Sequence, residues 1–211
     1  MTTNLPRPVT LVPTVGLVLL LCATLLLAAP SFAADPDTGL ERDLVALTNV
    51  DRTSNGLSAL VEDPRLVDVA RVRSDDMLVR NYFSHDIPPN GEKVFDLLDR
   101  ASILFRSAGE NLEFNTSPRE GSVQFAQKDF MNSPTHRANL LRDVYTRVGA
   151  GAIPGTGKVM YTVLFMRPSA ADSFVPPALA GGAASSVGQA GAVDFTVNSV
   201  VGRSLNIPGL D

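Results

Sequence analysis

The segment from Val159 to Met166 constrains the fold more than any other part of this sequence. It is apolar at every position except Thr162, so both faces of a strand would be apolar. A strand covered by helices on each side has this pattern, whereas a strand with one wet face alternates. Arg147 to Ala152 forms a second predicted strand, and Pro154 to Gly157 predicts the hairpin turn between them. The pattern indicates the α+β class, as a three-layer α-β-α sandwich.

Apolar residues at helical spacing predict the outer layers. The predicted helix starts are, in chain order, a capping box from Thr38 to Glu41, the pair Asp63-Pro64, a short helix from Val94, a second capping box from Ser117 to Glu120, and the pair Ser133-Pro134. The second helix carries Arg73 on its apolar stripe and ends near Asn81. Alternation from Gly109 predicts a short strand in which Glu110 leads one face.

Residues 1–33 have the pattern of a signal peptide. Arg7 precedes an apolar run from Val15 to Ala29, and Ser31-Phe32-Ala33 fits a cleavage site. An uncleaved membrane anchor is the alternative, although the run is shorter than the roughly 20 residues that a span prefers. Cys22 lies within this run, so the mature chain has no cysteine and its fold must depend on its own core. We expect an extracellular protein with no membrane contact after signal cleavage.

The charge of the mature chain argues against anionic partners. Without Arg7 it has 17 basic and 22 acidic residues, a net charge of −5 with both histidines neutral, and no cluster of Lys or Arg. This balance gives no electrostatic reason to expect nucleic acid as a partner. We expect a monomer.

After Pro168 the composition changes to Ala, Gly, Ser and Pro, so residues 169–211 are predicted to be a flexible tail, although Val193 to Val201 has the composition of a strand.

Two histidines and one glutamate form the candidate site. His85 follows Phe83-Ser84 in a predicted loop, Glu110 lies in Gly109-Glu110-Asn111, and His136 lies in the first turn of a predicted helix. Histidine and glutamate can hold a divalent metal or move a proton near neutral pH. A histidine in either setting is more often only a hydrogen-bonding residue, so the pattern alone leaves the site undecided.

The order Phe-Ser-His, Gly-Glu-Asn, Ser-Pro-x-His-Arg-x-Asn-Leu-Leu resembles the bacterial branch of the CAP superfamily (cysteine-rich secretory, antigen 5 and pathogenesis-related 1 proteins), over about Leu40 to Met166. The resemblance implies a CAP/SCP domain over residues 38–168, with the CAP sandwich fold. It also implies that His85, Glu110 and His136 line one cleft. Asn49 and Arg52 match family positions whose expected role is structural anchoring.

The sequence departs from the fuller family pattern at two positions. The family's second glutamate corresponds to Ser133, and its usual tryptophan corresponds to Phe130. Two histidines and Glu110 still fit an open Zn²⁺ site, whereas a pair of carboxylates for acid-base catalysis is not assured. Glu113 and Asp86 are candidate substitutes, and a solvated charge is the simpler interpretation of each.

The remaining polar residues of the motifs have structural interpretations. Asn111 and Asn139 are expected to brace the site loops through their amides, and Ser133 to cap the following helix. Ser84 and Ser133 each neighbour a histidine, but the chain has no Gly-x-Ser-x-Gly elbow, and the mature chain has no thiol nucleophile.

Two functions follow. We favour an exported binding module for a small-molecule or wall-associated ligand, including lipid, with or without a metal. The alternative is a metal-assisted hydrolase of peptides or cell-wall polymers.

Overall fold

A computed structural model describes Met1, residues 34–177 and the backbone of residues 198–200. The predicted signal peptide and most of the predicted tail lie outside the described residues. The elements are α1 (Thr38–Ser54), β1 (Val61–Glu62), α2 (Pro64–Val79), α3 (Val94–Arg100), β2 (Phe105–Asn115), α4 (Arg119–Asn132), α5 (Pro134–Leu140), β3 (Arg147–Gly155), β4 (Lys158–Pro168) and β5 (Asn198–Val200).

The described strands form one mixed sheet in the order β1-β3-β4-β2-β5. The central strand β4 is antiparallel to both of its neighbours, β2 and β3, over almost its full length. The short strands β1 and β5 are parallel to β3 and β2 respectively. β5 lies within the part of the tail whose composition is typical of a strand.

Helices cover both faces of the sheet, which confirms the predicted three-layer α-β-α sandwich. Alternate residues of β4 point to opposite cores: Tyr161, Val163 and Phe165 pack with α1 and α4. Leu164 and Met166 pack with α2 and α3. All five side chains are buried, so the strand that is apolar on both faces is the central strand, as its sequence predicts.

The α2 helix lies unusually close to the sheet because β3 offers it no side chain at Gly149. A Cβ atom at Gly149 would lie 2.5 Å from backbone and side-chain atoms of Leu66. Asp63 caps the start of α2 through a 3.1 Å bond from the Arg65 N–H, and Pro64 occupies the first turn, as predicted. The position of α2 matters because the loop after it carries His85.

Two predicted helix caps are wrong. Asp37, not Thr38, caps α1: its Oδ1 accepts bonds of 3.1 Å from the N–H groups of Gly39 and Leu40. Glu41 does not complete a capping box because it forms a buried ion pair with Arg71.

At the second predicted box, α4 begins at Arg119 after Pro118 and has no side-chain cap. The N–H of Ser117 instead donates 3.2 Å to the side chain of Asn115. The end of β2 thus fixes the segment that the predicted box would have organised.

The contacts of the folded domain continue past the Pro168 boundary. Asp172 forms an ion pair with Arg65 at 2.8 Å, with only 5% of the Asp172 side chain exposed. The Arg65 guanidinium also lies over the ring of Phe174, 3.9 Å from its centroid. The bonds from Arg65 hold the pKa of Asp172 below its usual range. The first residues of the predicted tail are therefore fixed on the start of α2.

Candidate functional site

A buried chain of three charged or polar side chains connects α2, the loop after it and β2. Arg73 donates from Nε to Glu110 Oε1 at 3.1 Å, and the other carboxylate oxygen of Glu110 contacts Nδ1 of His85. The side chains of Arg73 and Glu110 are 0% and 1% exposed. Both oxygens of Glu110 therefore have a partner within the protein, as a buried carboxylate requires.

Arg73 also fixes the loop that carries His85. Its two terminal nitrogens donate to the Tyr82 hydroxyl, at 2.7 Å, and to the backbone carbonyl of Ser84. The loop begins at Asn81, which has a positive φ of 50°. One guanidinium thus binds both the Glu110 carboxylate and the residue before His85, which sets the position of the imidazole ring relative to Glu110.

The imidazole of His85 is oriented on one side only. Its Nδ1 contacts Glu110, whereas Nε2 is buried and has no hydrogen-bond partner among the described residues. The residue is 4% exposed. A buried polar atom without a partner costs free energy, roughly 1–3 kcal/mol, unless a ligand or water satisfies it. Nε2 is therefore the atom of this site that is available for a ligand.

His136 lies on α5, which is held against β2 beside Glu110. The imidazole is buried and lies edge-on to Phe130, with ring centroids 5.3 Å apart. Its backbone carbonyl accepts a 3.0 Å bond from the Asn111 amide. Asn139 donates to the Glu110 carbonyl at 3.2 Å and to the Asn111 side chain at 2.9 Å. The two asparagines thus connect the two motifs through their amides.

Gly109, the first residue of the Gly-Glu-Asn motif, has no room for a side chain. A Cβ atom there would lie 2.6 Å from the Tyr145 hydroxyl and 3.2 Å from Oδ1 of Asn139. The same packing that excludes a methyl group brings Asn139 close enough to bind β2. The three residues of the motif therefore have different roles. The glycine allows close approach, the glutamate contacts Arg73 and His85, and the asparagine binds α5.

The described residues do not assemble the predicted metal ligands into one centre. No three His, Cys, Asp or Glu side chains among them are placed to hold an ion together. The physical reason lies in Glu110, whose two oxygens are bound by Arg73 and His85. A zinc site made of His85, His136 and Glu110 would have to break the buried ion pair, so Glu110 as placed is not available as a ligand.

The two candidate substitutes for a second carboxylate lie elsewhere. Asp86 is exposed and pairs with Lys93. Glu113 points to the opposite face of β2 from Glu110, as alternate strand residues do, towards Asp129 of α4. Burial, with a smaller contribution from Asp129, raises the pKa of Glu113 to about 8. Among the described residues, neither side chain is hydrogen-bonded to the His85 ring or to the Glu110 carboxylate.

Ser84 and Ser133 have local structural partners. The Ser84 hydroxyl accepts a 3.0 Å bond from the Asp86 N–H. Ser133 precedes α5, but no side-chain bond caps the helix, and its hydroxyl lies 3.3 Å from that of Thr135. Pro134 begins α5 as predicted.

The contacts of Arg73 with Glu110, Tyr82 and Ser84 were not predicted from the sequence. Tyr82 bonds both Arg73 and Asp76, and burial, followed by the bond to Asp76, raises the pKa of Tyr82 to about 12. The available signal was a charged residue on the apolar stripe of α2, because a buried arginine needs a partner of opposite charge.

Asn49 and Arg52 of α1 anchor distant backbone. Asn49 exchanges two hydrogen bonds with Leu60, of 3.0 and 2.7 Å. Arg52 is 1% exposed and donates to the carbonyls of Ser58, Leu140 and Arg142 at 2.7–3.0 Å. Arg52 thereby fixes the end of α5, the helix that carries His136.

A separate open groove of about 640 Å³ lies at the C-terminal end of α2, between Leu78, Asn81 and residues 154–156. None of the three predicted site residues lines it. None of the described helices is long and apolar enough to cross a membrane.

Comparison with known proteins places these motifs in a family context. Residues 45–165 match the family described as "CAP: Cysteine-rich secretory protein family". The chain is 37% identical over 113 residues to protein YkwD of Bacillus subtilis and 36% identical over 114 residues to membrane protein YlbC of the same organism. Each match covers 54% of this chain, but only 42% and 32% of the respective relative.

Solved structures show the same fold. An extracellular protein of Bacillus anthracis that contains an SCP domain is 35% identical with a TM-score of 0.53, covering 61% of this chain and 40% of that one. An outer surface protein of Borrelia burgdorferi has a TM-score of 0.59 at 16% identity, covering 66% of this chain and 100% of that one. The second likeness concerns the fold alone.

Proposed function

The chain belongs to the CAP family of cysteine-rich secretory proteins, and from that premise we propose that it is an exported binding module for a small ligand, such as a lipid or a wall-associated molecule. The observation that carries the proposal is the buried, unpartnered Nε2 of His85. A ligand that donates to or accepts from this nitrogen would satisfy the polar atom that the fold leaves without a partner. The apolar leader and the extracellular SCP-domain relative support export.

The surroundings of His85 favour recognition by a fixed hydrogen-bonding atom. Glu110 contacts Nδ1 of His85, and Arg73 binds both Glu110 and the Ser84 carbonyl. The side chains of His85, Glu110 and Arg73 are buried. Because the site is pre-organised, little side-chain entropy is lost when a ligand binds. The matched relatives are longer than the segment that this chain covers, so the proposal concerns the domain.

Metal-assisted hydrolysis of peptides or wall polymers is the second candidate. One observation favours hydrolytic chemistry: a carboxylate on Nδ1 orients a histidine so that Nε2 can accept a proton from water or a hydroxyl group. The metal has less support, because Glu110 is already bound on both oxygens. Zinc bound by His85 and His136 stays a prediction.

The side-chain NMR signals of the two histidines test the proposal. Purified protein is titrated with a lysophospholipid and, separately, with a disaccharide-pentapeptide fragment of peptidoglycan. We expect one probe to shift the His85 signals by a saturable amount, and the mass of that probe to stay unchanged.

The control variants are His85→Ala, which should abolish binding, and Lys93→Ala, which changes a nearby exposed charge and should bind normally. Binding that survives in His85→Ala would refute the role of Nε2. Cleavage of a probe by the native protein, lost in His85→Ala, would favour the hydrolase.

A further inference from the structure

The outer edge of β2 has a partner only at the candidate site. On its inner side β2 pairs with β4 from Phe105 to Asn115. On its outer side, among the described residues, it pairs only with β5, at Gly109, Glu110 and Asn111. These three residues are the Gly-Glu-Asn motif. An edge strand presents backbone N–H and C=O groups that bind any extended chain of suitable register.

The strand that covers this edge comes from the chain's own tail. β5 (Asn198–Val200) runs parallel to β2, opposite the residue that bonds His85, and it also contacts α5. His85, Glu110 and His136 are buried in the structure in which β5 is paired with β2. β5 therefore lies directly beside the candidate site.

The pairing of β5 with β2 is short. It extends over three residues, whereas the β2–β4 pairing covers nearly all of an 11-residue strand. Asn198 is of a type depleted in strands, whereas Val200 is of a type enriched in them. Residues 178–197 separate β5 from the last described residue of the preceding segment, and a connection of that length spans up to about 3.3–3.6 Å per residue. Such a strand can be exchanged for another.

We propose that the β2 edge at Gly109–Asn111 is an acceptor site for one extended polypeptide segment at a time, and that β5 is its intramolecular occupant. Recognition would be by main-chain hydrogen bonds, the mode of strand addition. Covalent attachment makes the pairing of β5 intramolecular, so a free peptide must compete with a segment that is always present on the same chain. The inference goes beyond the proposed function, because it concerns a polypeptide and a sheet edge and does not require a ligand on His85.

The test uses the full chain with one residue changed in β5. Ser199→Pro removes a backbone N–H, which an edge strand tolerates only where that N–H faces solvent, whereas Ser199→Ala keeps the backbone and serves as the matched control. Val200→Pro removes the neighbouring N–H, which points to the opposite side of β5, so one of the two proline variants removes an N–H that faces β2. Amide hydrogen exchange is measured for the segment 105–115. We expect at least tenfold faster exchange of the β5-facing amide within residues 109–111 in that proline variant, and native exchange in Ser199→Ala.

A synthetic peptide with the sequence of residues 193–203 is then added. It should restore slow exchange in that proline variant and have no effect on the native chain, and the same peptide with proline at the same position should do nothing. Native exchange in both proline variants, or no protection by the peptide, would overturn the proposal. His85→Ala should leave the exchange results unchanged, so a failed ligand titration and a failed strand experiment are separate outcomes.

Discussion

Replacing Arg73 by methionine tests whether one buried guanidinium holds the candidate site together. In the native chain Arg73 is fully buried and binds Glu110, Tyr82 and the Ser84 carbonyl. Methionine fills a similar volume but leaves the Glu110 carboxylate, 1% exposed, without its ion pair. Removing one partner of a buried ion pair costs about 3–5 kcal/mol. At roughly 2–4 °C per kcal/mol for a domain of this size, the unfolding midpoint should fall by about 6–20 °C.

The assay is thermal unfolding at pH 7, followed by circular dichroism, with two further variants. Arg42→Met removes an arginine that is 77% exposed and should change stability by less than about 0.5 kcal/mol. Arg73→Met combined with Glu110→Gln removes the unpaired charge as well, so it should be more stable than the sum of the two single changes by over about 1 kcal/mol. Additive effects, or a loss below about 1 kcal/mol in Arg73→Met, would refute the reasoning.

Three further predictions concern packing, pH and metal. Gly109→Ala should destabilise the domain by about 1–3 kcal/mol in denaturant unfolding, because the new methyl group is crowded, whereas Gly121→Ala, with open space around it, should not. Burial raises the folded-state pKa of Glu113 to about 8, so the stability that this group contributes at low pH is lost as pH rises from about 4.5 to 8. Glu113→Gln should therefore gain midpoint temperature relative to the native chain over that range, and parallel pH curves would contradict this. Calorimetric titration with Zn²⁺ at pH 7 should give weaker binding in His85→Ala and His136→Ala than in the native protein, and equal affinity in all three proteins would remove a shared site.

The helices and strands whose positions depend on neighbouring residues could be predicted from local patterns in the sequence. Asp63-Pro64 marks the start of α2 because a cap and a proline act within one turn. The two apolar faces of β4 indicate its central position for a similar reason, since the apolar type of each residue by itself predicts that the residue is buried. The contact between His85 and Glu110, 25 residues apart, is different. Only the family resemblance predicted that they approach each other.

Two of the missed features involve partners far along the chain. Asp37 caps α1 while Arg119, 82 residues away, holds its carboxylate. Spacing within the helix could not choose Asp37 over Thr38, because both fit a cap. Arg73 forms an ion pair with Glu110, 37 residues along the chain, and this ion pair occupies the carboxylate that a metal would need as a ligand. The residue types of candidate metal ligands do not show whether another side chain already binds them.

The anchoring by Arg52 has a consequence for how this domain can be handled. Residues 34–211 contain no cysteine, and the end of α5 is bound to α1 by two hydrogen bonds from the Arg52 guanidinium, which also binds the loop after α1. These hydrogen bonds form without an oxidant, and dithiothreitol does not break them. The fold should therefore be reached equally well in a reducing cytosol and in an oxidising medium, and refolding from denaturant should need no glutathione buffer or disulfide isomerase.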